Sequence, residues 1–133
     1  MSLRDKVPKD RLVSATVRRE RLLEEMKKHI GQKNATTKAT LFMTVYGRKA
    51  LKYSELERFY LWLQLKKDMN YIRRKTFCFI VVIPKDDHFL FCVAKDQKDI
   101  QFYTTLMEGT AKKCLYMRDR CKLAVKNQFW RKI

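Results

Sequence analysis

Clustered cations are the side chains of this sequence with the clearest capacity for chemistry. The densest cluster comprises Lys66, Lys67, Tyr71, Arg73, Arg74 and Lys75. Ammonium and guanidinium groups at this density neutralise backbone phosphates, and a tyrosine ring among them can stack on a base or pack against a sugar. The pattern predicts contact with a phosphate-bearing ligand. The structural alternative is a solvated loop whose charge keeps the edge of a sheet soluble.

Further cationic groups are predicted on the polar sides of two amphipathic helices and beyond the last helix. Their members are Arg18, Arg19 and Arg21, then Lys112, Lys113, Arg118, Arg120 and Lys122, and finally Trp130, Arg131 and Lys132. Few acidic residues stand four positions away, so like charges gather instead of pairing. We expect these groups to contribute to one nucleic-acid-binding surface, with ordinary solvated helix faces as the alternative.

Residues for catalysis or metal binding are sparse. His29 and His88 are the two histidines. The sequence shows no pattern that would pair either of them, as a general base, with a cysteine nucleophile. Cys114 and Cys121 are seven residues apart, without the Cys-x-x-Cys or histidine spacing of zinc sites. The three glycines lie far from one another, which excludes a glycine-rich phosphate loop. The sequence predicts a non-enzymatic protein with no metal and no cofactor.

The whole chain, like the clusters, carries an excess of positive charge. Lysine and arginine number 31 against 14 aspartates and glutamates, for a formal net charge of +17. A fold tolerates such self-repulsion more easily when an anionic partner neutralises it, and a phosphate polymer is the commonest partner of this kind. We therefore expect nucleic acid, DNA or RNA, as the partner. An anionic membrane or an acidic protein surface is the alternative.

Length and composition predict one basic domain over residues 1–133. Of its 133 residues 46% are hydrophobic, which is enough for a core that needs no disulfide bonds or metal ions to stabilise it. The four cysteines are expected to be reduced thiols. The first eleven residues already contain four cations, and no apolar run approaches the roughly 18 residues that a membrane span needs. We expect an intracellular protein, cytoplasmic or nuclear or in the nucleoid, without a secretory leader.

The elements that must position these clusters are clearest around residues 76–95, where the net charge is zero. β-Branched and aromatic residues there predict a hairpin with arms at about 76–83 and 88–94, and Pro84 to Asp87 as the turn. Apolar side chains occupy both odd and even positions, so both faces of the hairpin are expected to be covered. Helical spacing of apolar residues over 8–30 and 97–128 predicts the two covering helices.

The segment from residue 36 to residue 75 supports two interpretations. Thr40 to Tyr46, followed by Gly47, looks like a strand that ends in a turn. Ser54 and Glu57 have the spacing of a helix capping box, but the alternation of apolar residues from 58 to 66 is equally typical of a strand. Helix and strand both stay open for this segment.

The order of elements resembles three known arrangements. With helices in the middle segment, three helices, a hairpin and a long last helix resemble a winged helix-turn-helix with a C-terminal dimerisation helix, which implies duplex DNA and a homodimer. With strands there, the order is similar to the α-β-β-β-α Alu-binding subunits of the signal recognition particle, which implies RNA. The hairpin and last helix also resemble a pleckstrin-homology domain, which implies anionic lipid headgroups or an acidic protein.

The two covered faces of the hairpin favour one fold among these, because the strands of a wing usually keep one face solvated. We expect an α+β fold, an antiparallel sheet with a central hairpin covered by N-terminal and C-terminal helices. The winged helix-turn-helix with a long C-terminal helix is the alternative. For either fold we expect a non-enzymatic protein that contacts the phosphate backbone of nucleic acid through a basic surface.

Overall fold

The described residues form four α-helices and one sheet. The computed structural model describes residues 2–128 and residue 131. In chain order the elements are α1 (Ala15–Met26), β1 (Thr36–Thr37), α2 (Lys38–Tyr46), α3 (Glu55–Lys75), β2 (Ile80–Lys85), β3 (His88–Val93) and α4 (Gln97–Lys126). Short 3₁₀ turns precede α1 and lie between the first helices. The α+β class expected from the sequence is confirmed.

Side-chain caps set where the first three helices begin. Ser14 Oγ accepts a hydrogen bond from the backbone N–H of Val17, and Ser54 Oγ accepts one from the N–H of Glu57. Thr37 Oγ1 caps α2 in the same way. These oxygens satisfy amide donors that have no partner within the helix. Because Ser14 fixes the start of α1, the helix is shorter than the predicted 8–30 span.

The sheet has three antiparallel strands in the order β1-β3-β2. Strands β2 and β3 pair from Ile80 opposite Val93 to Lys85 opposite His88, and a two-residue turn with Asp86 at a φ of 55° joins them. The predicted first arm began too early, because residues 76–79 lie before the strand, and Pro84 and Lys85 belong to β2 rather than to the turn. The predicted hairpin itself is confirmed.

The strand predicted for Thr40 to Tyr46 is wrong. These residues lie in α2, where Leu41, Phe42 and Val45 are buried on one face of the helix. Burial of this face against α1 and the rest of the core outweighs the β-propensity of the threonine, valine and aromatic residues. Gly47 ends the helix at a φ of 93°, a conformation that a side chain would strain.

Residues 58–66 lie within α3 and are helical. Leu61, Leu65, Met69 and Ile72 are buried at intervals of three and four residues, as one face of a helix requires. Phe59, which would share a sheet face with Leu61, is exposed instead. The alternation of apolar residues therefore does not mark a strand. The α-β-β-β-α and pleckstrin-homology arrangements both need strands where α2 and α3 lie, so neither describes this fold.

The hairpin is covered at its base and solvated at its tip. Ile80 and Val81 on β2 and Phe91 to Val93 on β3 are buried, and consecutive buried residues require cover on both faces. Towards the turn, residues 84–89 are exposed. Three helices, a hairpin with a free tip and a long last helix match the order of the winged helix-turn-helix alternative, with β1 as the third strand.

A buried carboxylate connects α1 to α3. The side chain of Asp68 is 0% exposed, and Arg18 Nε donates to its Oδ2 at 2.7 Å. Arg19 Nε donates to its Oδ1 at 3.4 Å. Arg18 also donates from Nη1 to the carbonyl oxygen of Val13 at 2.6 Å. A buried charge is tolerated when it is paired and its lone pairs accept hydrogen bonds, and this network meets both conditions.

The chain divides into two compact units, residues 1–100 and 101–133, and α4 crosses the boundary. The first turn of α4 belongs to the first unit, where Asp99 accepts hydrogen bonds from Gln32 Nε2 and from the N–H of Lys95. The prediction of one domain over the whole chain therefore stays a prediction. Within the described residues, no helix combines the length and the apolar character that crossing a bilayer requires.

Asp68→Ala is expected to lower the free energy of unfolding by about 3–5 kcal/mol, because it leaves the part-buried Arg18 without its counter-charge. Urea denaturation followed by circular dichroism measures the change. Glu24→Ala is the matched control, since its ion pair with Lys27 is exposed and contributes less than about 1 kcal/mol. Equal losses in the two variants would contradict the role assigned to Asp68.

Candidate nucleic-acid interface

The outer side of α3 carries a set of cations that form no ion pair with the described residues. Lys66, Lys67 and Arg74 are exposed. Lys67 and Arg74, seven residues apart, lie on the side of the helix opposite its buried face, and Lys66 lies about 100° around the helix from Lys67. We call these three residues the α3 cationic face. No carboxylate of the described residues forms an ion pair with them, because Glu57 pairs with Arg11 and Asp68 pairs with Arg18 and Arg19. Lys75 is also exposed, at the end of the helix.

Two members of the predicted cluster on α3 serve the fold. Arg73 is half-buried, and its Nε donates to the carbonyl oxygen of Ile80 at 2.8 Å, which fixes the end of α3 to β2. The ring of Tyr71 is also half-buried, with the Arg19 guanidinium 3.7 Å from its centroid. One face of that ring is therefore already covered by a cation. The structure brings Lys66, Lys67 and Arg74 to one surface and places Tyr71 and Arg73 beside the core.

The prediction that Arg18 lies on the solvated side of its helix is wrong. Its side chain is 12% exposed and is held by Asp68, Gln64 and the backbone of Val13. Burial alone would lower the pKa of Arg18, but the hydrogen bond and the charge of Asp68 outweigh burial and raise it. The carboxylate that pairs with Arg18 is fifty residues away in the sequence, so local charge spacing could not reveal it.

Arg19 and Arg21 also make contacts within the fold. Arg19 lies between Asp68 and the ring of Tyr71, and Arg21 Nη1 donates to the carbonyl oxygen of Val45 at 2.7 Å. The three arginines of α1 thus connect this helix to α2 and α3. Their role in binding nucleic acid stays a prediction, whereas their contacts with α2 and α3 are shown by the structure.

The second unit presents its own cations along α4. The predicted residues there, Lys112, Lys113, Arg118, Arg120 and Lys122, are all exposed. Arg118 pairs with Asp119 at 3.3 Å. Arg131 is exposed as well, and the predicted Trp130 and Lys132 lie outside the described residues. The same helix exposes Leu115, Tyr116 and Met117, and the homodimer through α4 stays a prediction.

The hairpin tip contributes little positive charge. Lys85 and His88 are exposed there beside Asp86 and Asp87. The hydrogen bond from His88 and the charge of that imidazole lower the pKa of Asp87, and the two groups lie 3.3 Å apart. The tip therefore differs from the α3 cationic face, whose members form no ion pair with any of the described residues.

Lys38 and Arg58 are cations that sequence reasoning missed. Lys38 begins α2, and its Nζ lies 4.7 Å from the centroid of the Trp62 ring. Burial lowers the pKa of Lys38, and the positive charges of Lys66 and Arg58 lower it further. The signal was absent from the sequence because Lys38 and Arg58 approach each other only when residues 38–46 and 55–75 are both helical.

The residues considered for catalysis do not assemble. His29 Nδ1 lies 2.9 Å from the carbonyl oxygen of Asn34 and His88 contacts Asp87, so each histidine has a partner other than a cysteine. Within the described part of the chain, no three His, Cys, Asp or Glu side chains are placed to hold a metal ion. The expectation of a non-enzymatic protein stays a prediction.

No protein-family model, curated protein or solved structure matches this chain. The inference of function therefore depends on geometry and charge. Among the described residues, the two features that carry it are the unpaired cations on the outer side of α3 and the excess of positive charge in the whole sequence.

Cys92 is expected to resist alkylation at about pH 8, because the thiolate is the reactive form and burial raises the pKa of this thiol to about 11. The exposed Cys114 and Cys121 should be labelled by iodoacetamide at least about tenfold faster. Labelling of Cys92 should increase as the pH rises towards its pKa, since deprotonation supplies the nucleophile. Peptide mass spectrometry measures each site, and equal rates at all three near neutral pH would contradict this burial.

Proposed function

We propose that this chain is a non-enzymatic protein that binds nucleic acid, with duplex DNA as its ligand, through the phosphate backbone. The observation that carries the proposal is the α3 cationic face, where Lys66, Lys67 and Arg74 are exposed and pair with no carboxylate in the described part of the chain. Each such cation that contacts a phosphate releases condensed counterions, and this release drives association. The net charge of +17 adds long-range attraction to the same polyanion.

The helical form of residues 55–75 favours duplex DNA over other anions. An α-helix fits the major groove of B-form DNA, and a helix-turn-helix presents its second helix there. In this fold α2 precedes α3, and α1 packs against both. The 3₁₀ turn Arg48–Lys52 makes the connection longer than the three or four residues of the shortest such motifs. The outer side of α3 is then the surface that meets the groove.

The cations of α3 favour positioning over sequence reading. Lysine contacts phosphates as a point charge, and contacts to phosphates carry no direct information about the bases. Asn70 lies between Lys67 and Arg74 on the exposed side of the helix, but its Oδ1 accepts a hydrogen bond from Arg73 Nη1 at 2.6 Å. That bond occupies the acceptor that an asparagine needs to bind adenine in a bidentate way. Binding is therefore expected to depend strongly on salt and weakly on sequence.

Replacing both Lys67 and Arg74 by methionine is expected to weaken duplex binding equally for unrelated sequences. The slope of log affinity against log salt concentration should fall by about two, because each substitution leaves one phosphate without its neutralising cation. Fluorescence anisotropy with labelled duplexes over a series of salt concentrations measures both quantities. Lys9→Met with Lys33→Met is the matched control, because it removes the same charge from exposed residues outside α3.

The outcomes separate the α3 cationic face from bulk charge. An equal decrease in slope in the two double variants would contradict the assignment to α3, because only net charge would then matter. Anionic lipid headgroups attract the same cations at about 1 kcal/mol per residue. If the protein co-sediments with phosphatidylserine vesicles at a salt concentration that abolishes duplex binding, the ligand of these cations is a membrane surface and not DNA.

A further inference from the structure

A groove of about 790 Å³ lies between α2, the first half of α3 and the hairpin tip. Aromatic rings line it: Phe42, Phe59, Trp62, Phe89 and Phe91. The rings of Trp62 and Phe91 meet edge to face with centroids 5.7 Å apart, which fixes the Trp62 ring. Phe59 and Phe89 are 56% and 57% exposed, so the groove offers ring surface to a ligand.

Two cations lie beside the aromatic rings of this groove. Lys38 and Arg58 line it, and Lys66 is close enough to Lys38 to disfavour its charged form. The ammonium of Lys38 stands over Trp62 without a carboxylate partner among the described residues. Three like charges beside a partly desolvated ring repel one another, and an anion placed among them would relieve that repulsion.

Two acidic side chains, Glu55 and Asp87, also line the groove. Glu55 is exposed in the first turn of α3, where the helix dipole already favours a negative charge. Asp87 interacts with His88 at the hairpin tip. The groove therefore combines flat apolar walls with the ammonium group of Lys38, which lies 4.7 Å from the centroid of the Trp62 ring and has no ion-pair partner among the described residues. A planar aromatic ring that carries an anionic group complements both features.

We propose that this groove binds an unstacked base of single-stranded nucleic acid, with Phe59, Trp62 and Phe89 against the base and Lys38 and Arg58 on the adjoining phosphates. The proposal rests on the proposed function and names the form of nucleic acid that this second surface takes. A duplex keeps its bases stacked and paired, so it cannot offer a ring face to the groove. Aromatic platforms flanked by cations bind single strands with little sequence preference.

Trp62 is itself the reporter for the test. Trp62 and Trp130 are the two tryptophans, so in the Trp130→Phe variant all tryptophan fluorescence comes from Trp62. Titration with a thymidine oligonucleotide of about four nucleotides is expected to quench this fluorescence. An abasic oligonucleotide of the same length carries the same phosphates without bases, and it should bind at least about fivefold more weakly. Equal affinity for the two would overturn the proposal, because charge alone would then explain binding.

Phe59→Ala and Lys38→Met in the same background are each expected to weaken oligonucleotide binding about fivefold or more. Phe77→Ala and Lys33→Met are the matched controls, since Phe77 is 107% exposed and both residues lie outside the groove. Circular dichroism confirms that each variant is folded. Unchanged affinity in both groove variants would overturn the proposal. Thymidine monophosphate that binds as tightly as the oligonucleotide would overturn the assignment to a strand in favour of a free mononucleotide.

Failure of this proposal is distinguishable from failure of the duplex proposal. The Lys67 and Arg74 double variant should lose duplex affinity and keep the oligonucleotide signal, whereas Phe59→Ala should do the reverse. A protein that binds the oligonucleotide through Phe59 but ignores duplexes supports the groove and contradicts the duplex function. A protein that binds duplexes without any quenching of Trp62 by the oligonucleotide contradicts the groove alone.

Discussion

The buried ion pair between Asp68 and Arg18 determines which side of α3 can face a ligand. A carboxylate without exposure needs charge-assisted hydrogen bonds, and Arg18 and Arg19 on α1 supply them. This requirement turns one side of α3 towards α1, together with the buried Leu61, Leu65 and Ile72. Lys66, Lys67 and Arg74 are then left on the outside. The ion pair that fixes α3 against α1 therefore also determines that the arginines of α1 lie on one side of α3 and the exposed cations of α3 on another.

The same interaction explains how a chain with a net charge of +17 forms a core. The acids are few, and several are used where a buried or half-buried donor needs them: Asp68 between α1 and α3, Glu57 beside Arg11, and Asp99 at the start of α4. These three acids are then not free to pair with exposed cations. Self-repulsion at the surface is the consequence, and it weakens when a polyanion binds.

The predictable parts of this fold were those in which local chemistry and tertiary packing agree. The uncharged β-rich stretch around residues 80–93 formed the expected hairpin, and the Ser54 cap marked the true start of α3. The strand predicted for Thr40 to Tyr46 was wrong because packing of Leu41, Phe42 and Val45 overrode β-propensity. Arg18 was misplaced because its partner is remote in sequence. Such long-range pairing leaves no local pattern, so the site on α3 was predictable only as a cationic cluster.

The two halves of α3 present different chemistry, and that division connects the two proposed surfaces. Its first half contributes Arg58, Phe59 and Trp62 to the aromatic groove, and its second half carries Lys67 and Arg74. Lys66 lies where the two halves meet, because it acts on Lys38 in the groove and is exposed beside Lys67. A phosphate near Lys66 would neutralise a charge that belongs to both surfaces. Occupation of one surface should therefore weaken the attraction of the other for a second phosphate, so two separate ligands are expected to bind less tightly together than each binds alone.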